Sequence, residues 1–216
     1  MSASFPNGTI FSLYTTLATA TVVTAISNTN PGVASSTAHG YTSGDILLLS
    51  MVSSKLDKRV VRVDNEAANT YELEGINTTN TSLFPSGFGV GTAQEASVPI
   101  PISQVTDVQS AGGEQQFYTW VYLEDGRQRQ RPTFKNARSM TIVMDYDPAL
   151  AWHAALLTAD QLGTEHVLQA ALPSGAKIYY SVFVGFDGEP SFTINENQKT
   201  TASLSLACPL STRYAS

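Results

Sequence analysis

Polar and apolar side chains alternate along most of this chain, and that period limits what it can fold into. In the last such run Lys199, Thr201, Ser203 and Ser205 alternate with Thr200, Ala202, Leu204 and Leu206. Side chains of an extended strand point alternately to the two faces of a sheet, so this run has one wet face and one core face. Enrichment in β-branched residues and frequent turn residues extend the pattern to a mainly β fold. Strands are expected near Thr9–Tyr14, Thr19–Ser27, Val33–Ala38, Asp45–Met51, Lys58–Asp64 and Thr70–Glu74. After a loop over Asn77–Gly91, rich in Asn, Thr, Ser and Gly, further strands are expected near Ile102–Ser110, Gln116–Glu124, Ser139–Asp145, Glu165–Leu172, Lys177–Val184, Pro190–Asn195 and Lys199–Cys208. One segment departs from period two. Asp147-Pro148 supplies an N-cap and a first-turn proline, and Leu150, Ala154 and Leu157 then recur at helical spacing up to Gly163. Trp152, Ala155, Leu156 and Ala159 widen the apolar stripe, which predicts a helix lying across a sheet.

Charge restricts the partners. Of 216 residues only 14% are Asp, Glu, Lys or Arg, against roughly 25% in ordinary soluble domains. A surface so poor in charge suits burial against further copies of itself. The net charge of −6 removes the attraction that drives non-specific binding to phosphates, while a mildly negative wall lets DNA pass without sticking. The single Cys208 excludes an intrachain disulfide, and no CxxC or His-rich spacing marks a metal site. Met1–Asn7 has no basic segment leading into an apolar run, and no stretch of about 18 apolar residues occurs. The expectation is a protein folded in an intracellular compartment, with no standard secretion signal and no membrane span.

No constellation of catalytic groups stands out. His39, His153 and His166 are scattered outside any nucleophile–base motif; His39 reads as a turn residue and His153 as a partly exposed packing residue. Glu124-Asp125 and the Asp145/Asp147 pair have spacings a cation tolerates, but strand ends and helix starts carry such pairs routinely. Gly112-Gly113 and Gly87–Gly91 lack the Lys-Ser/Thr of a phosphate loop and read as turns. Arg127, Arg129 and Arg131 place three cations on one side of an extended segment. Without a cluster of stacking aromatics they read as inter-subunit contacts, suited to acidic residues on a neighbouring copy, and not as a phosphate site. The reading is a non-enzymatic protein with no cofactor.

From Gly112-Gly113-Glu114 onward the order of features resembles the tail tube proteins of siphophages, phages with long non-contractile tails. The series continues with Leu123-Glu124-Asp125, Arg129-Gln130-Arg131-Pro132-Thr133-Phe134-Lys135 and the strand Ser139–Val143. It is completed by Asp147-Pro148 opening a helix with Trp152 and Ala155-Leu156, then Leu172-Pro173-Ser174-Gly175 and Arg213-Tyr214-Ala215-Ser216. Phe5-Pro6-Asn7-Gly8-Thr9 also looks like the start of such proteins. Between these parts, Ala38-His39-Gly40-Tyr41, Gly44-Asp45, Arg59–Val63 and Tyr71–Gly75 resemble a small β module found in ubiquitin-activating enzymes. That segment has no cysteine, so no thioester chemistry accompanies the likeness. The division expected is a β-sandwich or partial-barrel core from residues 1–20 and 94–216, with a module of residues 21–93 inserted on the outer surface.

The resemblance implies a virion protein whose copies form rings, six to a ring, with inner sheets joined into a barrel and rings stacked into the conduit for DNA ejection. It also implies the tape measure protein, tail terminator and distal tail protein as partners, DNA passing without specific binding, and no membrane association. On this reading the polar face lines the lumen: Lys199, Thr201, Ser203 and Ser205, continued by Ser191, Thr193, Asn195 and Glu196, with Ser139, Thr141 and Asp145 as further candidates. The alternative is a carbohydrate- or host-binding β module of a virion, with Tyr41, Tyr71 and Phe84 as its platform.

Overall fold

A computed structural model describes residues 7–215; Phe5 and Pro6 of the opening motif, the other residues before Asn7, and Ser216 lie outside them. The described residues are mainly β with one helix. In chain order the strands are β1 (Ile10–Leu17), β2 (Thr21–Val23), β3 (Ala25–Ile26), β4 (Gly32–Ser35), β5 (Ile46–Met51), β6 (Val60–Ala67), β7 (Thr70–Leu73) and β8 (Gly91–Ile102). They continue with β9 (Val105–Gly112), β10 (Gln115–Val121), β11 (Gln128–Lys135) and β12 (Arg138–Asp145). Helix α1 (Ala151–Leu162) precedes β13 (Glu165–Ala171), β14 (Lys177–Gly185), β15 (Lys199–Leu206) and β16 (Thr212–Tyr214).

One antiparallel path, β3-β4-β7-β6-β5-β8-β1-β13-β14-β15-β12-β9, carries all but four of the strands: β16 joins β14, β2 joins β8, and β10 and β11 pair only with each other. Strand β8 connects the two parts of the path. Its residues Gly91–Ala96 pair with β5, and Ala96–Ile102 pair with β1.

Three clusters of buried side chains hold the layers. The first fills the N-terminal part, around Leu47, Leu49, Val61, Val63, Tyr71, Leu73 and Phe84. The second lies under α1, whose Trp152, Leu156 and Ala159 pack with Leu13, Ile142, Leu168, Val182, Ala202 and Leu204. A third sits between them, where Ile46, Leu48 and Val60 meet Tyr14, Val167, Tyr179 and Tyr214. The run Ile46-Leu47-Leu48-Leu49 explains this arrangement: β5 buries alternate residues in different clusters, as a strand covered on both faces must. Lys58–Glu165 at 2.9 Å, and the backbone N–H of Arg62 donated to Tyr214 Oη at 2.7 Å, cross the same joint.

Several expectations are corrected. Pro190–Asn195 is not a strand: it belongs to a loop between β14 and β15 and makes one bridge, Ser191 to Lys199. The helix starts after the Asp147-Pro148 turn. Asp147 Oδ1 accepts the Ala149 N–H at 3.1 Å, while Leu150 occupies the N-cap without a side-chain bond. Gly163 does end the helix, in the left-handed region at φ 59°, where its N–H meets the carbonyls of Ala159 and Asp160. His39 and His153, read as a turn residue and a partly exposed one, are both buried. Three strands lay outside the sequence reading: β11, β16 and most of β8.

Candidate functional site: a hydroxyl face and a projecting arm

Strands β9, β12 and β15, with the end of β14, present one polar outer face. Register fixes its rows: Ala111, Ser139, Ser205 and Phe183 in one, Gln109, Thr141, Ser203 and Gly185 in the next, then Asp107, Val143 and Thr201, and finally Asp145 opposite Lys199. Thr201, Ser203 and Ser205 are exposed, whereas Thr200, Ala202 and Leu204 between them are buried under α1 and the opposing strands. The alternation read from Lys199–Leu206 is the alternation of the folded strand, and Ser139, Thr141 and Asp145 share the polar side. Ser191, Thr193, Asn195 and Glu196 do not continue this sheet. They lie on the exposed loop Phe186–Gln198, which turns back so that Ser191 N–H donates to Lys199 O at 2.7 Å and Glu196 N–H to Thr193 O at 3.3 Å.

The edges of the sheet differ. Among the described residues, edge strand β9 pairs only with β12, and it contains no proline. In β8 the segment paired with β1, and with no other described strand beyond Ala96, carries Pro99 and Pro101 beside Val98, which has a positive φ of 57°. Prolines remove the donors that a further strand would need, so this edge is closed to pairing while β9 is open.

Between β9 and β12 the chain runs out as a hairpin arm, β10–β11. Its base turns at Gly112 and Gly113, at φ 82° and 84°. A Cβ at Gly112 would lie 1.9 Å from Ala137 O, so only glycine fits this close crossing of two backbones. Across the arm Tyr118 opposes Arg131 and Trp120 opposes Arg129. The Tyr118 and Trp120 rings stack at 5.7 Å, and the Arg129 guanidinium sits 4.7 Å from the Tyr122 ring centroid while donating to Asp125 Oδ2 at 2.5 Å. Arg127 lies in the turn before β11, and its N–H donates to Asp125 Oδ1 at 3.1 Å. Sequence reading grouped the three arginines but found no aromatics with them; the aromatics arrive from the opposite strand, through a register no local pattern displays. The arm leaves large apolar groups in water: Leu123 at its tip is fully exposed, Tyr118 is 63% exposed and Phe134 is 66% exposed.

Buried polar groups elsewhere serve packing. His39 stacks on Tyr41 at 5.2 Å and meets the edge of Tyr71 at 5.0 Å, with Nε2 2.8 Å from Ala67 O. Tyr41, Tyr71 and Phe84 are buried and form no exposed platform. Burial lowers the His166 pKa and raises those of Tyr41, Tyr71, Tyr179 and Cys208. Cys208 is buried, as its place in an apolar surround suggests. Among the described residues no group of three or more His, Cys, Asp or Glu side chains is arranged to hold a metal ion, and no helix is long and apolar enough to cross a membrane.

Among the described residues the body is all-antiparallel, with a polar face, an edge strand paired on one side and a solvent-exposed arm. The family model described as phage tail tube protein, TTP, matches residues 51–216, and the chain belongs to that family. Membership makes it a structural component of a phage tail and of the virion, assembled with other tail proteins. No curated protein sequence matches the chain. Among solved structures the chain is similar to the anti-feeding prophage cap, a tube terminating cap determined by cryo-EM. The likeness has 18% identity and a TM-score of 0.32 over 56% of this chain and 94% of that chain.

Proposed function

We propose that this chain is the major tail tube subunit of a long non-contractile tail, stacking as rings of six, with the β9–β12–β15 face turned to the lumen. Membership of the tail tube family and the hydroxyl-rich face support this reading; the face is the observation that carries it. Six of its thirteen positions are Ser, Thr or Gln, Asp107 adds a carboxylate, and Lys199 stands opposite Asp145 at one end. Such a wall offers DNA no cationic cluster to bind. The open β9 edge pairs with the next copy in the ring, where strand addition removes an otherwise aggregation-prone edge. The protein acts without catalysis, passes DNA without specific binding, and joins the tape measure protein, the terminator and the distal tail protein. Residues 21–93 lie outside the tube wall, and Arg127, Arg129 and Arg131 serve contacts between subunits.

Purified protein at high concentration is expected to form hollow tubes with a regular axial repeat under negative-stain electron microscopy. In such tubes Ser203→Cys, exposed in the free subunit, is expected to react slowly with a thiol reagent too bulky for the lumen. Fast labelling at the monomer's rate would overturn the lumen assignment.

A further inference from the structure

Basic residues are gathered into two stretches of this acidic chain. Residues 55–62 hold Lys55, Lys58, Arg59 and Arg62 against the single carboxylate Asp57, and residues 127–138 hold five cations and no carboxylate, so nine of the chain's 12 basic residues fall in the two. The stretches converge in space. Lys55 from the first and Lys135 and Arg138 from the second line one cleft of about 550 Å³ beside the base of the arm, closed on another side by Pro209 and Leu210. Of its nine lining residues three are cations and none is a carboxylate. Lys58 and Arg62 are paired with Glu165 and Glu74, but Lys55, Lys135 and Arg138 have no ionic partner among the described residues. Glu114 reaches the rim, where its Oε2 accepts from Asn136 Nδ2 at 3.3 Å. Behind the cleft, half-buried Arg59 donates to Thr212 Oγ1 at 3.4 Å and also lacks an ionic partner among the described residues. Cations gathered in one concavity repel each other, and a bound anion removes that cost.

The fold holds these groups apart from the hydroxyl face. Arg138 has the parity of buried Met140 and Ile142, so it leaves β12 on the side opposite Ser139 and Thr141. Gly113 makes room for it: a Cβ there would lie 3.2 Å from Arg138 Cγ, so the arginine stem rests against bare backbone. We propose that this cleft binds a small anion carrying two or more linked phosphates, the shared chemistry of inorganic oligophosphates and nucleoside di- and triphosphates. The Arg138 fork takes two oxygens of one phosphate, while Lys55 and Lys135 act as point charges on the next. A volume of about 550 Å³ is that of a small-molecule pocket, roughly 300–1,000 Å³, and exceeds what a lone ion needs. Long nucleic acid is a poorer match. Its strand would leave the cleft for a surface of net negative charge, and no aromatic side chain lines the cleft to stack a run of bases. Because the lining comes from residues 54–55, the base of the arm and residues 209–210, an occupied cleft ties three parts of the chain together and stabilises the folded state. The site stands whether or not the chain forms tubes.

Isothermal titration calorimetry of the full chain, in phosphate-free buffer at low salt with inorganic triphosphate as the probe, tests the site. Saturable one-to-one binding is expected, with a matching rise in Tm. Lys55→Gln and Lys135→Gln, both at exposed positions, should each weaken it about threefold to tenfold, and Arg138→Gln by about tenfold or more, with Arg138→Lys recovering part of the loss. Lys177→Gln, an exposed cation outside the cleft, should leave the affinity unchanged. ATP binding more tightly than inorganic triphosphate supports the site and assigns the nucleotide as its ligand, with Leu210 against the base; equal affinity supports the site and assigns the phosphate chain alone. Titrations that never saturate overturn the proposal, as does a loss in Lys177→Gln equal to that in the cleft variants. A single-stranded thymidine oligonucleotide that binds more tightly than triphosphate also overturns it and assigns the cleft to nucleic acid.

Discussion

Replacing Tyr214 by Phe removes one oxygen from the joint between the two parts of the sheet. Tyr214 is buried, its Oη accepts the Arg62 N–H at 2.7 Å, and the Arg62 guanidinium lies 4.5 Å from its ring centroid. The ring also meets Tyr179 at 5.9 Å. Without the oxygen the Arg62 N–H stays buried and unpaired, a cost of about 1–3 kcal/mol. Tyr214→Ala also empties the ring's volume and is expected to cost about 3–5 kcal/mol, as buried aromatic truncations do. For a chain of 216 residues each kcal/mol lowers Tm by about 2–4 °C. Tyr214→Phe is therefore expected to lower Tm by about 2–12 °C, with one cooperative transition in thermal and urea unfolding. Burial also pushes the Tyr214 pKa up to about 12, above the ordinary phenol range near 10. The unfolded phenol ionises first, so this group's contribution is complete below about pH 10 and is lost as pH rises through about 12, roughly 3 kcal/mol in all. In Tyr214→Phe that part of the alkaline loss disappears. A Phe variant within about 0.5 kcal/mol of the parent, the range of a neutral surface change, refutes the reasoning. So does separate melting of residues 21–93.

Three further outcomes are expected. His166 is buried with Nδ1 3.3 Å from Tyr14 O, and burial lowers its pKa below the ordinary imidazole value of about 6.5. Stability is therefore complete above about pH 6.5 and falls as pH drops below it, because the unfolded chain takes up the proton first. Urea midpoints at about pH 7.5 and about pH 5 should differ less in His166→Gln. Gly112→Ala forces a Cβ to within 1.9 Å of Ala137 O at a positive φ, so circular dichroism should show a folded body while light scattering shows impaired tube growth. Trp152→Ala, at the centre of the cluster under α1, is expected to cost about 3–5 kcal/mol in urea unfolding.

What was legible in the sequence is what local chemistry dictates. Lys199–Leu206 announced both its faces, because Ala202 and Leu204 have a core to enter and Thr201 and Ser203 do not. Gly163 marked the helix end by its backbone freedom. Ser191-Phe192-Thr193-Ile194 shows the same alternation but has no layer to bury Phe192 and Ile194, and it remains a loop. Pro99 and Pro101 disguised β8, the strand that unites the sheet, because beyond Ala96 it is paired on one side and a one-sided segment tolerates proline. Strand β11 is polar on both sides since it is wet on both sides, so no period appears. The association of Arg129 and Arg131 with Trp120 and Tyr118 depends on hairpin register. The joint around Tyr214 brings together residues more than 150 positions apart.

A wall of serine and threonine hydroxyls imposes friction rather than affinity on a polyanion sliding past it. On the lumen proposed above, each hydroxyl would exchange its hydrogen bond with water as readily as with phosphate, so no position along Ser139, Thr141, Ser203 and Ser205 would hold a strand long enough to set a stopping point. Drag on such a surface is that of its hydration layer. The speed of transit is then governed by the force applied to the DNA and the thickness of the water film, and hardly by base sequence.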